Sequence, residues 1–162
     1  MPHLFYYLDF TVSVFIVRGA TVLLVDHKQL RKWLPVGGHI DPGEDPEQAA
    51  YRETEEESGL EIELVGDKPA GEFEGTKLLV APAYLDVHDI VGEHKHLGMI
   101  YFARALSGEA RLAAAEHNGI RWFSAEELRD SELNIPAAVR FYGQEAIRRL
   151  SGNRSSAREK KS

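Results

Sequence analysis

The order of residues predicts an α/β fold in which helices sandwich a mixed β-sheet. Two observations carry this. Stretches dense in β-branched and aromatic residues recur along the chain, as in FTVSVFIVR at 10–18 and GMIYFARAL at 98–106. Only two stretches combine a strong helical pattern with capping residues, at 45–59 and 136–150. Strands interspersed with so few helices fit one sheet with helices packed on its faces.

Taken in order, residues 10–18 and 20–26 read as two strands joined around Gly19, a hairpin whose second arm is apolar enough to be buried on both faces. His27 to Trp33 form a basic turn ending in an aromatic. Arg31 and Lys32, with Lys28, suit drawing in phosphate, and Trp33 suits packing at a site mouth; a solvated surface turn is the competing reading. Trp33 to Gly38 then lead into a glycine- and proline-rich turn, Val36-Gly37-Gly38-His39-Ile40-Asp41-Pro42-Gly43. The first helix follows. Asp45 suits its N-cap, Pro46 its first helical position and Gly59 the position just past its end.

Residues 61–65 alternate as a short strand, and 66–69 turn the chain. A further strand is expected over 78–87, bent or broken at Pro82. Another covers 94–106, and 107–118 read as a loop with some helical character. A last short strand spans 119–123, and Ser124-Ala125-Glu126-Glu127 forms a capping box that opens a short helix. Pro136 starts the closing amphipathic helix. One domain is expected over 1–150, with 151–162 a disordered, polar, basic tail.

Composition narrows the chemistry. With 162 residues, 43% hydrophobic and 28% charged, the chain reads as an ordinary soluble domain. Zero cysteines exclude disulfides, thiolate chemistry and cysteine-based zinc sites. The opening MPHLFYYLDFTVSVFIVRG lacks a basic leader and is interrupted by Asp9, so neither a signal peptide nor a membrane span is expected, and a cytoplasmic location follows as the default. A net charge of −7 argues against a long polyanion lying across the surface. A small phosphorylated substrate is compatible once a bound cation is counted, because the cation reverses the local sign.

The first helix asks for such a cation. In Arg52-Glu53-Thr54-Glu55-Glu56-Glu57, residues Glu53, Glu56 and Glu57 share one face and Glu55 points elsewhere. These charges repel one another and sit toward the helix C-terminus, where the macrodipole disfavours them. A divalent cation relieves the repulsion, and oxygen ligands suit Mg2+ or Mn2+.

Residues 38–60 resemble the Nudix box, G-x5-E-x7-R-E-U-x-E-E-x-G-U, where U is bulky and aliphatic. Gly38, Glu44, Arg52, Glu53, Glu56, Glu57 and Gly59 match every fixed position at the correct spacing, and Leu60 fits the final U. Thr54 departs mildly at the first U. The resemblance implies a Nudix-type α/β/α sandwich and hydrolysis of a diphosphate bond in a nucleoside diphosphate linked to another group, with Mg2+ or Mn2+ as cofactor. It implies metal binding by Glu56, Glu57 and the Gly38 carbonyl, with Glu53 either a further ligand or the general base. Arg52 then orients the carboxylates, and Glu44 either binds metal indirectly or braces the turn. Glu116, six residues before Trp122, matches a further metal ligand of MutT-like members; Glu72, Glu74 and Glu93 are rivals for that role.

Outside the box the residues say less. His94 and His96 would share a strand face as an H-x-H pair, but no third nitrogen or sulfur ligand stands at a persuasive spacing, so structural or substrate-lining histidines are expected rather than a zinc site. Tyr84, Tyr101 and Phe102 are candidates to stack a base or to fill the core. The asparagine that reads oxidised guanine in MutT falls here at or near Ala137, and Asn134 is off register. A nucleoside or deoxynucleoside triphosphate is the expected substrate, giving a monophosphate and pyrophosphate. The alternatives are a nucleotide sugar such as ADP-ribose, a sensor domain that binds nucleotide without turnover, and trimming of messenger-RNA 5′ ends. No membrane partner is expected, and a homodimer is left open.

Overall fold

The two-residue period of a strand decides which side of the sheet each apolar side chain joins. The computed structural model describes residues 8–90 and 94–152. Its elements are β1 (Leu8–Arg18), β2 (Thr21–His27), β3 (Lys32–Leu34), β4 (Val36–His39), α1 (Pro46–Ser58), β5 (Glu61–Val65), β6 (Tyr84–Asp89), β7 (Lys95–Ser107), β8 (His117–Ser124) and α2 (Ala137–Leu150), with a 3-10 turn at Glu127–Arg129. The eight strands belong to one sheet. Residues 8–17 of β1 run parallel to 95–104 of β7, and the other described pairings are antiparallel, so the sheet is mixed. A parallel pair needs a long crossover, and α1 lies in it.

Alternation then builds two cores. Val12, Val14 and Ile16 of β1, Leu23 and Val25 of β2, and Tyr101 and Ala103 of β7 pack with Ala49 and Ala50 of α1. Their neighbours Phe15, Val17, Val22, Leu24, Ile100 and Phe102 pack on the opposite side with Val139, Ala146, Ile147 and Leu150 of α2. This is an α/β/α sandwich, as the sequence predicts. Tyr101 and Phe102 are buried core residues, not stacking platforms.

Helix α1 is bounded by local chemistry. Asp45 accepts the Gln48 N–H at 2.9 Å while the Gln48 side chain accepts the Asp45 N–H at 2.9 Å, a closed capping box. Pro46 opens the helix, and Gly59 ends it in the left-handed region at φ 63°, a conformation that favours glycine. Its buried residues are small or polar: Ala49, Ala50, Thr54, Glu57 and Ser58. Thr54 is fully buried with its hydroxyl donating to the Ala50 carbonyl at 2.8 Å, so the departure from an aliphatic residue leaves no unpaired hydroxyl.

Several expectations change. The strand expected over 78–87 is only Tyr84–Asp89. Pro82 has no N–H to give, the Val80 N–H goes to the Glu47 carboxylate and the Ala81 N–H to the Asp67 carbonyl, leaving the stretch before Tyr84 tied outside the ladder. Residues 107–118 hold no helix, and the last strand begins at His117 rather than Gly119. The Ser124–Glu127 capping box forms reciprocally, at 3.2 and 2.8 Å, but opens only the 3-10 turn. No helix among the described residues is long and apolar enough to cross a membrane. The tail expected to be disordered lies outside the described residues from 153 onward.

Candidate functional site

Arg52 organises the junction between the turn and α1. Its Nε and Nη2 bond both oxygens of Glu44, at 2.8 and 2.9 Å, and Nη1 reaches Glu53 at 2.7 Å and Glu56 at 3.3 Å. Nη2 also donates to the His39 carbonyl at 3.0 Å. Glu44 in turn accepts the Asp41 N–H at 3.0 Å, so the turn is closed on itself and clamped to the helix. The Arg52 hydrogen bonds hold the Glu44 carboxyl below its usual range. Burial pushes Glu53 up, against the pull of the same guanidinium.

A pH dependence follows, with opposite signs at the two acids. Glu44, depressed on folding, contributes stability above its ordinary value of 4.5 and loses it as pH falls through the lower folded value. Glu53, raised on folding, works against stability as it ionises. The difference between wild type and Glu44→Gln isolates the first. In thermal unfolding followed from neutral pH into acid, the wild-type advantage over that variant is expected to shrink below about pH 4.5. An advantage that stays constant with pH would remove Glu44 from the clamp.

Gly38 makes room for Glu53. A Cβ at Gly38 would lie 2.4 Å from Glu53 Oε1, and Arg52 restrains that carboxylate from moving aside. Gly38→Ala is therefore expected to displace the Glu53 carboxylate and cut hydrolysis about tenfold or more, because small misplacements of reacting groups are costly. Thermal unfolding alongside the rate assay checks that the loss is not a loss of fold.

Glu57 points inward from the same helix and is 5% exposed. Its Oε2 accepts the Gly37 N–H at 3.1 Å, and Oε1 lies 3.3 Å from His117 Nε2. The His117 ring is buried with neither nitrogen in a hydrogen bond; the approach to Glu57 is close but out of line for a ring N–H. A buried unpaired polar atom costs about 1–3 kcal/mol, so this corner is short of a partner. Glu116 completes the group: ligand atoms of Glu57, Glu116 and His117 all lie within 4.8 Å of one another. Lys28 fixes that loop, its N–H donating to the Glu116 carbonyl at 3.2 Å and its ammonium to the carbonyls of Ala114 and Ala115.

His117 is the residue that sequence reasoning misses. Strict alternation back from Ile120 and Trp122 puts it on the α2 side. The pairing with β2 slips instead, Asp26 facing Gly119 and His27 facing His117, so Asn118 bulges out and His117 turns to the α1 side. The carboxylates fit a hard divalent cation by their chemistry, and Glu57 and Glu116 converge from elements distant in sequence. Glu56 is exposed and paired with Arg52.

The basic turn lies beside this group. Register places Lys32, His27 and His117 in one row across β3, β2 and β8, while Arg31 and Lys32 stay exposed. Trp33 faces the other side of the sheet, its ring 5.0 Å from that of Phe123. Asn134 is engaged with this turn: its side-chain amide donates to the Arg31 carbonyl at 2.5 Å and its backbone carbonyl accepts the Trp33 N–H at 3.0 Å. Glu72 and Glu74 sit in an exposed turn and are not part of the Glu57 group; Glu93 lies outside the described residues. His96 pairs with Asp9 on the α2 side, and His94 meets Asp9 there, away from Glu57.

Residues 8–142 match the NUDIX domain family. A NUDIX-family hydrolase of Clostridium perfringens superposes with a TM-score of 0.76 and 35% identity, covering 88% of this chain and 97% of that one. The bis(5′-nucleosyl)-tetraphosphatase [asymmetrical] of Rattus norvegicus is 29% identical over 109 residues, 65% of this chain and 65% of its own length. A provisionally named 8-oxo-dGTP diphosphatase of Bacillus subtilis (strain 168) is 28% identical over 122 residues, 74% of this chain and 70% of its own. With a capped helix carrying the box carboxylates against one face of a mixed sheet, and a family match over most of its length, the chain belongs to the Nudix hydrolase family.

Proposed function

We propose that the chain hydrolyses a diphosphate bond in a nucleoside diphosphate linked to another group. A nucleoside or deoxynucleoside triphosphate, cut to a monophosphate and pyrophosphate, is the first substrate. The observation that carries this reading is the convergence of Glu57 and Glu116, with Glu53 held beside Gly38 by Arg52. Glu53, Glu56, Glu57, Glu116 and the Gly38 carbonyl are the residues that would hold Mg2+ or Mn2+. When bound, the cation neutralises diphosphate oxygens and makes water a better acid. Arg52 aligns the carboxylates. Glu53 holds either the cation or the proton of the attacking water. Arg31 and Lys32 would meet the outer phosphates, and Trp33 would stiffen that turn from the opposite face. The cytoplasm is the setting this reading assigns.

A second substrate, a dinucleoside polyphosphate, is favoured by the resemblance to the rat tetraphosphatase. Incubating the chain with Mg2+ and a panel of triphosphates, nucleotide sugars and dinucleoside polyphosphates, with products identified by mass, separates the two. Pyrophosphate with a monophosphate supports the first, and two unequal nucleotides from a dinucleotide support the second. Failure on every member of the panel would leave the chain a nucleotide-binding sensor.

A further inference from the structure

The face of the sheet opposite the acidic group is covered by α2 only at one end. At the other end the strands bring histidines together. Asp9 of β1 faces His96 of β7, which faces His88 of β6, and His39 of β4 lies across from Thr11, two residues along from Asp9. All four side chains therefore project from one face. His94, two residues before His96, joins them, its Nε2 3.1 Å from Asp9 Oδ2. His39 Nε2 lies 3.5 Å from the same oxygen. The His96 ring is 4.9 Å from that of His39 and 5.4 Å from that of His94. Ligand atoms of Asp9, His94 and His96 all lie within 4.8 Å of one another.

We propose that Asp9, His94 and His96, joined by His39 through its contact with Asp9, form a second metal site, for a borderline transition-metal cation such as Zn2+. Donors around a tetrahedral zinc with bonds of about 2.0–2.1 Å stand roughly 3.3 Å apart. The separations of His94 Nε2 and His39 Nε2 from Asp9 Oδ2, 3.1 and 3.5 Å, bracket that spacing. Three imidazoles and one carboxylate make a donor set that prefers zinc, copper or nickel to magnesium. The site is thus chemically distinct from the carboxylate group on the other face. His88 lies next to this group, its ring 5.4 Å from that of His96. Asp86 accepts from Tyr142 OH at 2.8 Å and contacts His88 Nδ1 at 2.9 Å. His39 also gives the site a physical link to the box, since its carbonyl accepts from Arg52.

The test uses the full chain stripped of metal, dialysed against micromolar ZnCl2 in excess MgCl2. One zinc per chain should remain, and the ring nitrogens of His94 and His96 should shift in 15N spectra. The double variant His94→Ala/His96→Ala should bind this zinc at least about 100-fold more weakly while retaining Mg2+-dependent hydrolysis. Glu57→Gln should keep the zinc. If the double variant does not fold, Asp9→Asn replaces it, with the same loss expected to be at least about tenfold. The proposal falls if no zinc survives excess magnesium, or if Glu57→Gln loses the zinc and the histidine variant keeps it. A chain inactive on every nucleotide but retaining zinc would separate this site from the proposed hydrolysis.

Discussion

Glu57→Gln is expected to lower the rate by on the order of 10²-fold or more while leaving the chain folded. The amide is nearly the same shape, and its oxygen can still accept the Gly37 N–H that Glu57 now takes at 3.1 Å. What it loses is charge. The buried carboxylate oxygen beside His117 and Glu116 is where a cation would gain most, because the surroundings screen it least. The Mg2+ concentration needed for half-maximal rate should rise along with the loss in kcat. Glu55→Gln, on the same helix but pointing away from the group, serves as the control. Wild-type turnover in Glu57→Gln would remove Glu57 from the proposed metal set.

The parts of this site that could be read in advance are those whose causes are local. Asp45, Pro46 and Gly59 cap α1 through neighbours a few residues away, and the box spacing puts Glu53 and Glu57 on it. Alternation in β1, β2 and β7 announces a sheet with two buried faces. Glu116 could be reached only through the family resemblance, and the structure sets it beside Glu57. The misses have non-local causes. His117 is carried to the α1 side by a bulge that depends on how β8 pairs with β2, which no window of sequence contains. Residues 78–82 have strand composition but are held by Glu47 and Asp67, partners distant in sequence. The H-x-H pair at His94 and His96 lacks nearby partners because its companions arrive on β1 and β4 through sheet register.

Arg52 carries the other large expected effect, because α1 buries little apolar surface of its own. With Ala49 and Ala50 its main apolar contacts, the helix depends on its caps and on the guanidinium that ties it to the turn. Arg52→Met should therefore cost roughly 2–3 kcal/mol, the scale of losing charged hydrogen bonds with acceptors left behind. Chemical denaturation measures this directly. The same change removes the main force opposing the rise in Glu53 proton affinity, so the acid limb of the pH–rate profile should move to higher pH. A merely structural role would lower stability without moving that limb. Arg52→Lys restores the charge but not the fork that grips both Glu44 oxygens while reaching Glu53. It should recover part of the stability and little of the rate. If Arg52→Met leaves both stability and the acid limb where they are in wild type, the clamp is only a solvated ion pair, and the alignment of Glu53 must come from Gly38 and the packing of α1 alone.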